Sequence, residues 1–338
     1  MGKAAREASR ERLRQEREQA KKRAARARTL GVIGAALAVV LVVVGGGYLF
    51  LSQQRAQEQE FADRYEDLPP QPLQQDGSVV LAEQDLDAPV VEVYADFQCP
   101  ACKQFEEASG PTLQQLAAEG DAIVHYRPVS IFAQSQAPLS ANSLRGAAAA
   151  RAAADHGKFV QYHDLLFENQ PPEGSKGFAV EDLKQWGEDV GIDDARFAQR
   201  VEAESEAVAT FTGDYLPKLS SAAQEQLSKS EIQEMGLSGL IEWGGDNGVD
   251  GSFLQDTYVK EAVDATSAVK DRYSSGANAF GGTPAVYVNG EKMGDAAFSG
   301  DGIRDAVEQA GPGEVSTEPL AAGTGATAGA SPEPQVSP

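Results

Sequence analysis

The chain has 338 residues, 41% of them hydrophobic and 24% charged, with a formal net charge of −22 at pH 7. Those are globular proportions, which exclude a wholly disordered or fibrous chain, and so acidic a surface repels phosphate, so no nucleic-acid partner is expected. Only two cysteines are present, which excludes a disulfide-stapled scaffold and a four-cysteine zinc fold.

The charge is divided along the chain. Residues 1–28 carry eleven Lys/Arg against four Asp/Glu, a net of +7, whereas the remainder is −29. Between the two parts, Leu30–Leu51 reads LGVIGAALAVVLVVVGGGYLFL without a charge. As a helix this stretch spans about 33 Å, enough for a bilayer core. It is longer than the apolar region of a cleaved signal peptide, and no small-x-small site follows Tyr48, so an uncleaved anchor in the lipid bilayer is expected. Arg23, Arg26 and Arg28 abut it on one side, and Arg55 and Arg64 mixed with Glu58, Glu60 and Asp63 follow on the other. That bias keeps the N-terminus cytoplasmic and puts the rest of the chain outside the membrane.

The expected organisation is a basic arm over 1–29, a transmembrane anchor over 30–51 and a polar, Gln- and Pro-rich linker over 52–75. A folded domain over 76–310 and a disordered Gly/Pro/Ala tail over 311–338 follow. Within the domain, Ser78–Ala82 and Val90–Ala95 read as strands, the second apolar enough to be covered on both faces. Pro100 opens a helix through Phe105, Leu113 and Leu116, and Ala122–Val129 is the next strand. A helical region runs from Leu139 to about Lys270. Ala285–Val288 is a strand closed by Asn289-Gly290, and Asp301–Ala310 is a last short helix. The fold class is α/β with a large helical insertion over about 137–270, preceded by one N-terminal transmembrane helix.

Both cysteines lie in Cys99-Pro100-Ala101-Cys102, after a strand and at the start of a helix. Residues i and i+3 share a helix face, so the two sulfurs can bond with little strain. Pro100 suits the first helical position, and the positive helix end lowers the pKa of Cys99. Cys99 is then the exchanging sulfur and Cys102 the resolving one. Two alternatives stay open: an inert bond pinning the helix start, which closes too short a loop to stabilise much, and a metal site with two of His125, His156 and His163. His156 and His163 are not at the usual zinc spacing, so neither a metal nor any cofactor beyond the Cys99–Cys102 disulfide itself is expected.

Asp87-Ala88-Pro89-Val90 through Asp96-Phe97-Gln98-Cys99-Pro100-Ala101-Cys102 resembles the DsbA-like branch of the thioredoxin superfamily. Gly157-Lys158-Phe159 with Tyr162-His163-Asp164-Leu165-Leu166-Phe167, and Gly281-Gly282-Thr283-Pro284-Ala285-Val286-Tyr287-Val288-Asn289-Gly290, resemble it too, in the same order. The resemblance covers about 76–200 and 270–310. It implies a thioredoxin-like fold, a cis bond before Pro284, and a Thr283 that lies against the cysteines and pairs its backbone with an extended substrate. Phe97, Pro100 and Ala101 would support the site. Ala101 stands where the strongest oxidants of the family carry His, which lessens the drive to donate a disulfide. The family also often buries a carboxylate that takes the proton of the second cysteine, here Glu92 or Asp96.

The activity so implied is disulfide formation in reduced exported proteins, with a quinone-linked membrane oxidase of the DsbB or VKOR type restoring the Cys99–Cys102 bond. A reductase or isomerase using the same atoms is the enzymatic alternative. An anchored binding module with a structural disulfide is the non-enzymatic one. Nothing is recognised between about Val201 and Ala277, which is expected to cap the domain.

Overall fold

The computed structural model describes Lys21 and residues 64–317. The basic arm, the apolar stretch Leu30–Leu51, most of the linker and the tail from residue 318 lie outside the described residues, and among the described ones no helix is long and apolar enough to cross a membrane. Contacts divide the chain at Asp67/Leu68, and the unit from Leu68 onward carries the fold.

Five strands form one sheet: β1 (Val79–Leu81), β2 (Val90–Ala95), β3 (Ile123–Pro128), β4 (Ala285–Val288) and β5 (Glu291–Lys292), in the order β1-β3-β2-β4-β5. β2 runs parallel to β3, pairing Val90 with Ile123 and Tyr94 with Arg127, and antiparallel to β4, pairing Tyr94 with Ala285. All six residues of β2 and all six of β3 are buried, which is why their apolar runs hardly alternate.

Side-chain alternation assigns the two faces. Val93 and Tyr126 look toward one layer, where Tyr126 meets the rings of Phe159 and His163 and His163 meets Glu106. That layer contains α1 (Pro100–Glu119) and α3 (Phe159–Glu168), with α9 (Gly300–Gln309) packed against α1. Glu92, Tyr94 and Arg127 look the opposite way, toward α8 (Tyr258–Arg272), whose Val269 packs with Tyr94, Ala285 and Tyr287.

The helical region resolves into α2 (Leu139–Ala154), α3, α4 (Val180–Asp189), α5 (Ala195–Thr210), a π turn at Phe211–Tyr215, α6 (Leu216–Gln226), α7 (Lys229–Asp246) and α8. The Ala-rich α2 is buried along almost its whole length, because small side chains let α3, α5 and α8 pack closely around it. α7 is broken at Gly236, whose φ of 62° and ψ of −173° are open to glycine. The stretch 201–277 is not all a cap. α8 is a covering layer of the sheet, tied to it by Ser130 N–H donating to Thr266 Oγ1 at 2.8 Å, while Glu204 accepts the first N–H groups of α8 from Tyr258 (2.9 Å) and Val259 (3.1 Å).

Both domain boundaries differ from the expectation. The end of the linker is packed: Gln71 is 6% exposed, bonded to Gln161 Oε1 (3.2 Å) and to the Val160 N–H (2.6 Å). The start of the tail is held as well: Gly313 N–H donates to Ala88 O (3.0 Å), Arg272 donates to Ser316 Oγ (3.0 Å), and Arg127 donates to Ser316 O. Spare arginine donors beside Glu92 recruit a segment whose composition alone reads as unstructured.

Candidate active site

Cys99 is the N-cap of α1, in extended conformation with φ −82° and ψ 118°, and Pro100 is the first helical residue. The turn before it is closed by Cys99 N–H donating to Asp96 O at 2.9 Å. The helix start makes no side-chain cap, so the N–H groups of Ala101 and Cys102 face the sulfur of Cys99.

Both thiols are free, and their surroundings separate them. The Cys99 thiol lies 3.3 Å from Thr283 O, to which it donates. Its pKa falls from 9.0 to about 6, chiefly through a hydrogen bond from the Cys102 thiol; burial opposes this, and the Thr283 side chain and the backbone N–H groups of Cys102 and Ala101 assist it. Cys102 is wholly buried and accepts the Asp96 N–H at 3.5 Å. Burial, its bond to Cys99 and the neighbouring thiolate charge push its pKa well above 9.0. One sulfur is a thiolate near neutral pH and the other holds its proton.

Thr283 and Pro284, joined by a cis bond, bring β4 to the cysteines from a point 184 residues away in sequence. Their loop is fixed by Lys292 Nζ donating to Ala279 O (2.7 Å) and Lys292 N–H donating to Asn278 Oδ1 (3.0 Å). Phe97 is 1% exposed, with its ring centroid 4.8 Å from that of Phe167 and 5.4 Å from that of His163. Pro100 is exposed and Ala101 half-buried.

Glu92 is not brought to this site. It sits in β2 on the α8 face, 2.9 Å from Arg127 Nε and 2.9 Å from Arg272, and it also accepts from Tyr94 and Tyr273. The period of two along β2 decides this, since Cys102 packs in the α1 layer behind the other face. Asp96 is the carboxyl at the redox turn. It is fully buried, with Oδ1 accepting from Gln98 N–H (2.8 Å) and Oδ2 from Ser143 Oγ (2.8 Å) and Phe132 N–H (3.4 Å). Burial raises its pKa from 3.8 to about 7 even against those donors.

The histidines are dispersed. His125 is buried beside Ser78 (2.7 Å), His156 packs on the Phe197 ring, and His163 pairs with Glu106 (3.5 Å) and Asp164 (3.2 Å). Burial raises the Glu106 pKa to about 7, with the His163 charge opposing it. Sequence reading passed over the polar residues that hold the redox turn from behind: Gln98, Asn142, Ser143 and Gln170. Their types carry no motif. The one signal available was an amide, Gln98, directly before the first cysteine.

A family model described as thioredoxin matches residues 84–309. Among solved structures, MdbA, a thiol-disulfide oxidoreductase from Corynebacterium diphtheriae, is 17% identical, with 71% of this chain and 93% of that chain covered and a TM-score of 0.46. Reduced DsbA from Mycobacterium tuberculosis is 21% identical, covering 68% of this chain and 98% of that chain, with a TM-score of 0.40. Oxidised BdbD from Bacillus subtilis is 18% identical, covering 72% and 97%, with a TM-score of 0.40. No curated protein matches the chain. With about two thirds of its length matched by one family model, across the strand, the redox turn, the helical block and the last helix, the chain belongs to the thioredoxin family.

Proposed function

We propose that the chain is a membrane-anchored, extracytoplasmic thiol–disulfide oxidoreductase of the DsbA type that forms disulfide bonds in exported proteins. The observation that carries this reading is the difference between the two sulfurs: Cys99, at the start of α1 and hydrogen-bonded by Cys102, has a pKa of about 6, and Cys102 is buried with its pKa raised well above 9.0. In the oxidised enzyme a substrate thiolate attacks Cys99 Sγ, forming a mixed disulfide and breaking the Cys99–Cys102 bond. Cys102 leaves and takes up a proton. A second substrate thiolate then attacks the substrate sulfur of the mixed bond and expels Cys99, a good leaving group because its thiolate is stable. Two electrons pass to the enzyme and the substrate keeps the disulfide. Thr283 supplies backbone to an extended substrate chain as an added strand.

Anchoring and location follow from the apolar stretch Leu30–Leu51 and the arginines before it. A domain held at the membrane can be reoxidised by a quinone-linked membrane oxidase of the DsbB or VKOR type. The direction of exchange is read from the reduction potential of Cys99–Cys102 in equilibrium with glutathione. A value of about −120 to −180 mV marks a disulfide donor, and one near about −270 mV marks a reductant and overturns the oxidising assignment. Cys99→Ser abolishes oxidation of a reduced exported protein, and Cys102→Ser accumulates the mixed disulfide. Undiminished oxidation by Cys99→Ser rules out the mechanism.

A further inference from the structure

The chain leaving α3 runs alongside the redox turn and grips it. Lys103 Nζ, one turn into α1, donates to Glu168 O at 3.0 Å. Gln98 Nε2 donates to Pro171 O at 2.9 Å, and Gln98 Oε1 accepts from Asn142 Nδ2 at 2.6 Å. Between them lies Gln170, whose side-chain nitrogen donates to Phe97 O at 2.9 Å and to Cys99 O at 3.0 Å. Both N–H groups of one amide are therefore spent on the two carbonyls that bracket Gln98, one of them the carbonyl of the exchanging cysteine itself.

That carbonyl has a second duty. It accepts the first helical bonds of α1, from Cys102 N–H (3.0 Å) and Lys103 N–H (3.3 Å). Its direction fixes the extended N-cap conformation of Cys99, and so fixes where Sγ sits relative to the N–H groups of Ala101 and Cys102. A donor that holds Cys99 O in place holds the thiolate over its stabilising dipoles.

We propose that Gln170 is a positioning residue of the redox site: by clamping Cys99 O and Phe97 O it aims the Cys99 sulfur at the start of α1 and so sets the reduction potential of the Cys99–Cys102 pair. This rests on the exchange chemistry proposed above, but its readouts need no protein substrate. A loosened N-cap stabilises the thiolate less, which disfavours the reduced form and makes the disulfide a weaker oxidant.

The experiment uses the full chain, with parent, Gln170→Ala, Gln170→Met and Gln170→Glu proteins equilibrated with glutathione redox buffers. The thiolate is followed separately by absorbance at 240 nm against pH. Gln170→Glu keeps the shape and replaces the donors with acceptors but adds a charge near the thiolate, so Gln170→Met, which removes the donors without a charge, decides the matter if Gln170→Ala fails to fold. The expected result is an equilibrium constant shifted toward the disulfide by about three- to tenfold, the loss of roughly one hydrogen bond. Tenfold corresponds to about 30 mV more negative. The thiolate midpoint rises in parallel. Arg272→Ala, which loses a buried ion pair on the other face of the sheet, keeps both values at the parental level and shows that lowered stability alone does not move them. A folded Gln170→Met with potential and midpoint both unchanged overturns the proposal. A parent that cycles with glutathione but oxidises no exported protein would strike the function and leave this inference standing.

Discussion

Asp96→Asn removes a buried acid while keeping its shape, and the consequence depends on pH in a way that can be worked out. The Asp96 carboxyl has no exposed surface and a folded-state pKa of about 7 against 3.8 for the free group. Below about pH 3 the folded and unfolded chains both hold the proton, and the ionisation of Asp96 makes no difference to stability. As pH rises, the unfolded chain ionises first, so the folded state loses stability progressively until its own carboxyl ionises near pH 7. Beyond that the loss is constant. About three pH units at 1.36 kcal/mol each give a ceiling of about 4 kcal/mol. Asparagine carries no such penalty. It does lose acceptor strength toward Gln98, Ser143 and Phe132, an offset of about 1–3 kcal/mol that does not vary with pH. Urea denaturation at unit steps from pH 4 to 8, with parent and variant both carrying Cys99→Ser so that no thiolate titrates beside residue 96, gives the difference directly. The variant-minus-parent stability should climb by roughly 2–4 kcal/mol between pH 4 and 7 and then level off. Parallel curves across the range would show that Asp96 ionises normally in the fold and would refute the reasoning.

Three further outcomes follow from the same geometry. Absorbance at 240 nm in the reduced protein rises with a midpoint near the Cys99 pKa of about 6, and Cys102 stays unalkylated through neutral pH; a single midpoint near 9.0 contradicts both assignments. Glu92→Ala takes one carboxylate from Arg127, which keeps Asp76, and from Arg272, which keeps Ser316 Oγ, and lowers stability to urea by about 1–3 kcal/mol, yet leaves the Cys99 midpoint where it was, because Glu92 faces α8. A shifted midpoint would mean that the two faces of the sheet communicate. Gly146→Ala puts a methyl 2.7 Å from Phe97 Cβ, an atom that cannot swing aside, and destabilises by about 1–3 kcal/mol in thermal unfolding.

The central strands and the redox turn were legible because their signals are local. The expected strand Val90–Ala95 has the observed bounds, and Ser78–Ala82 and Ala122–Val129 each exceed the observed strand by one residue at either end. The cysteine spacing and the proline between them needed only adjacent residues. The helical region from Leu139 reads as one stretch because Ala, Glu and Gln continue through its breaks. Four of those breaks carry a glycine in the left-handed region, Gly157 (φ 65°), Gly174 (φ 76°), Gly191 (φ 83°) and Gly248 (φ 82°), the clue that composition overrides. Choosing between Glu92 and Asp96 needed the parity of β2 and the knowledge of which helix covers which face. Parity can be counted in the sequence, but the covering layer depends on α8, some 180 residues later.

The asymmetry of the two sulfurs therefore does not come from the CxxC motif alone, since a helix start presents its dipole to both. The hydrogen bond between the two cysteines and the burial of Cys102 contribute most, and what converges on them adds the rest. The β4 loop brings the Thr283 side chain to Cys99, and Asp96 N–H reaches the buried Cys102. The helical block contributes Ser143 to Asp96, Asn142 to Gln98, and Gln170 to the Cys99 carbonyl. A helical insertion that merely shielded the sheet would need apolar contacts and no directed amides. Here α2 and the exit of α3 spend three polar side chains on the backbone and side chains of one turn, which makes the block part of the redox site and couples the chemistry of Cys99 to how those helices pack.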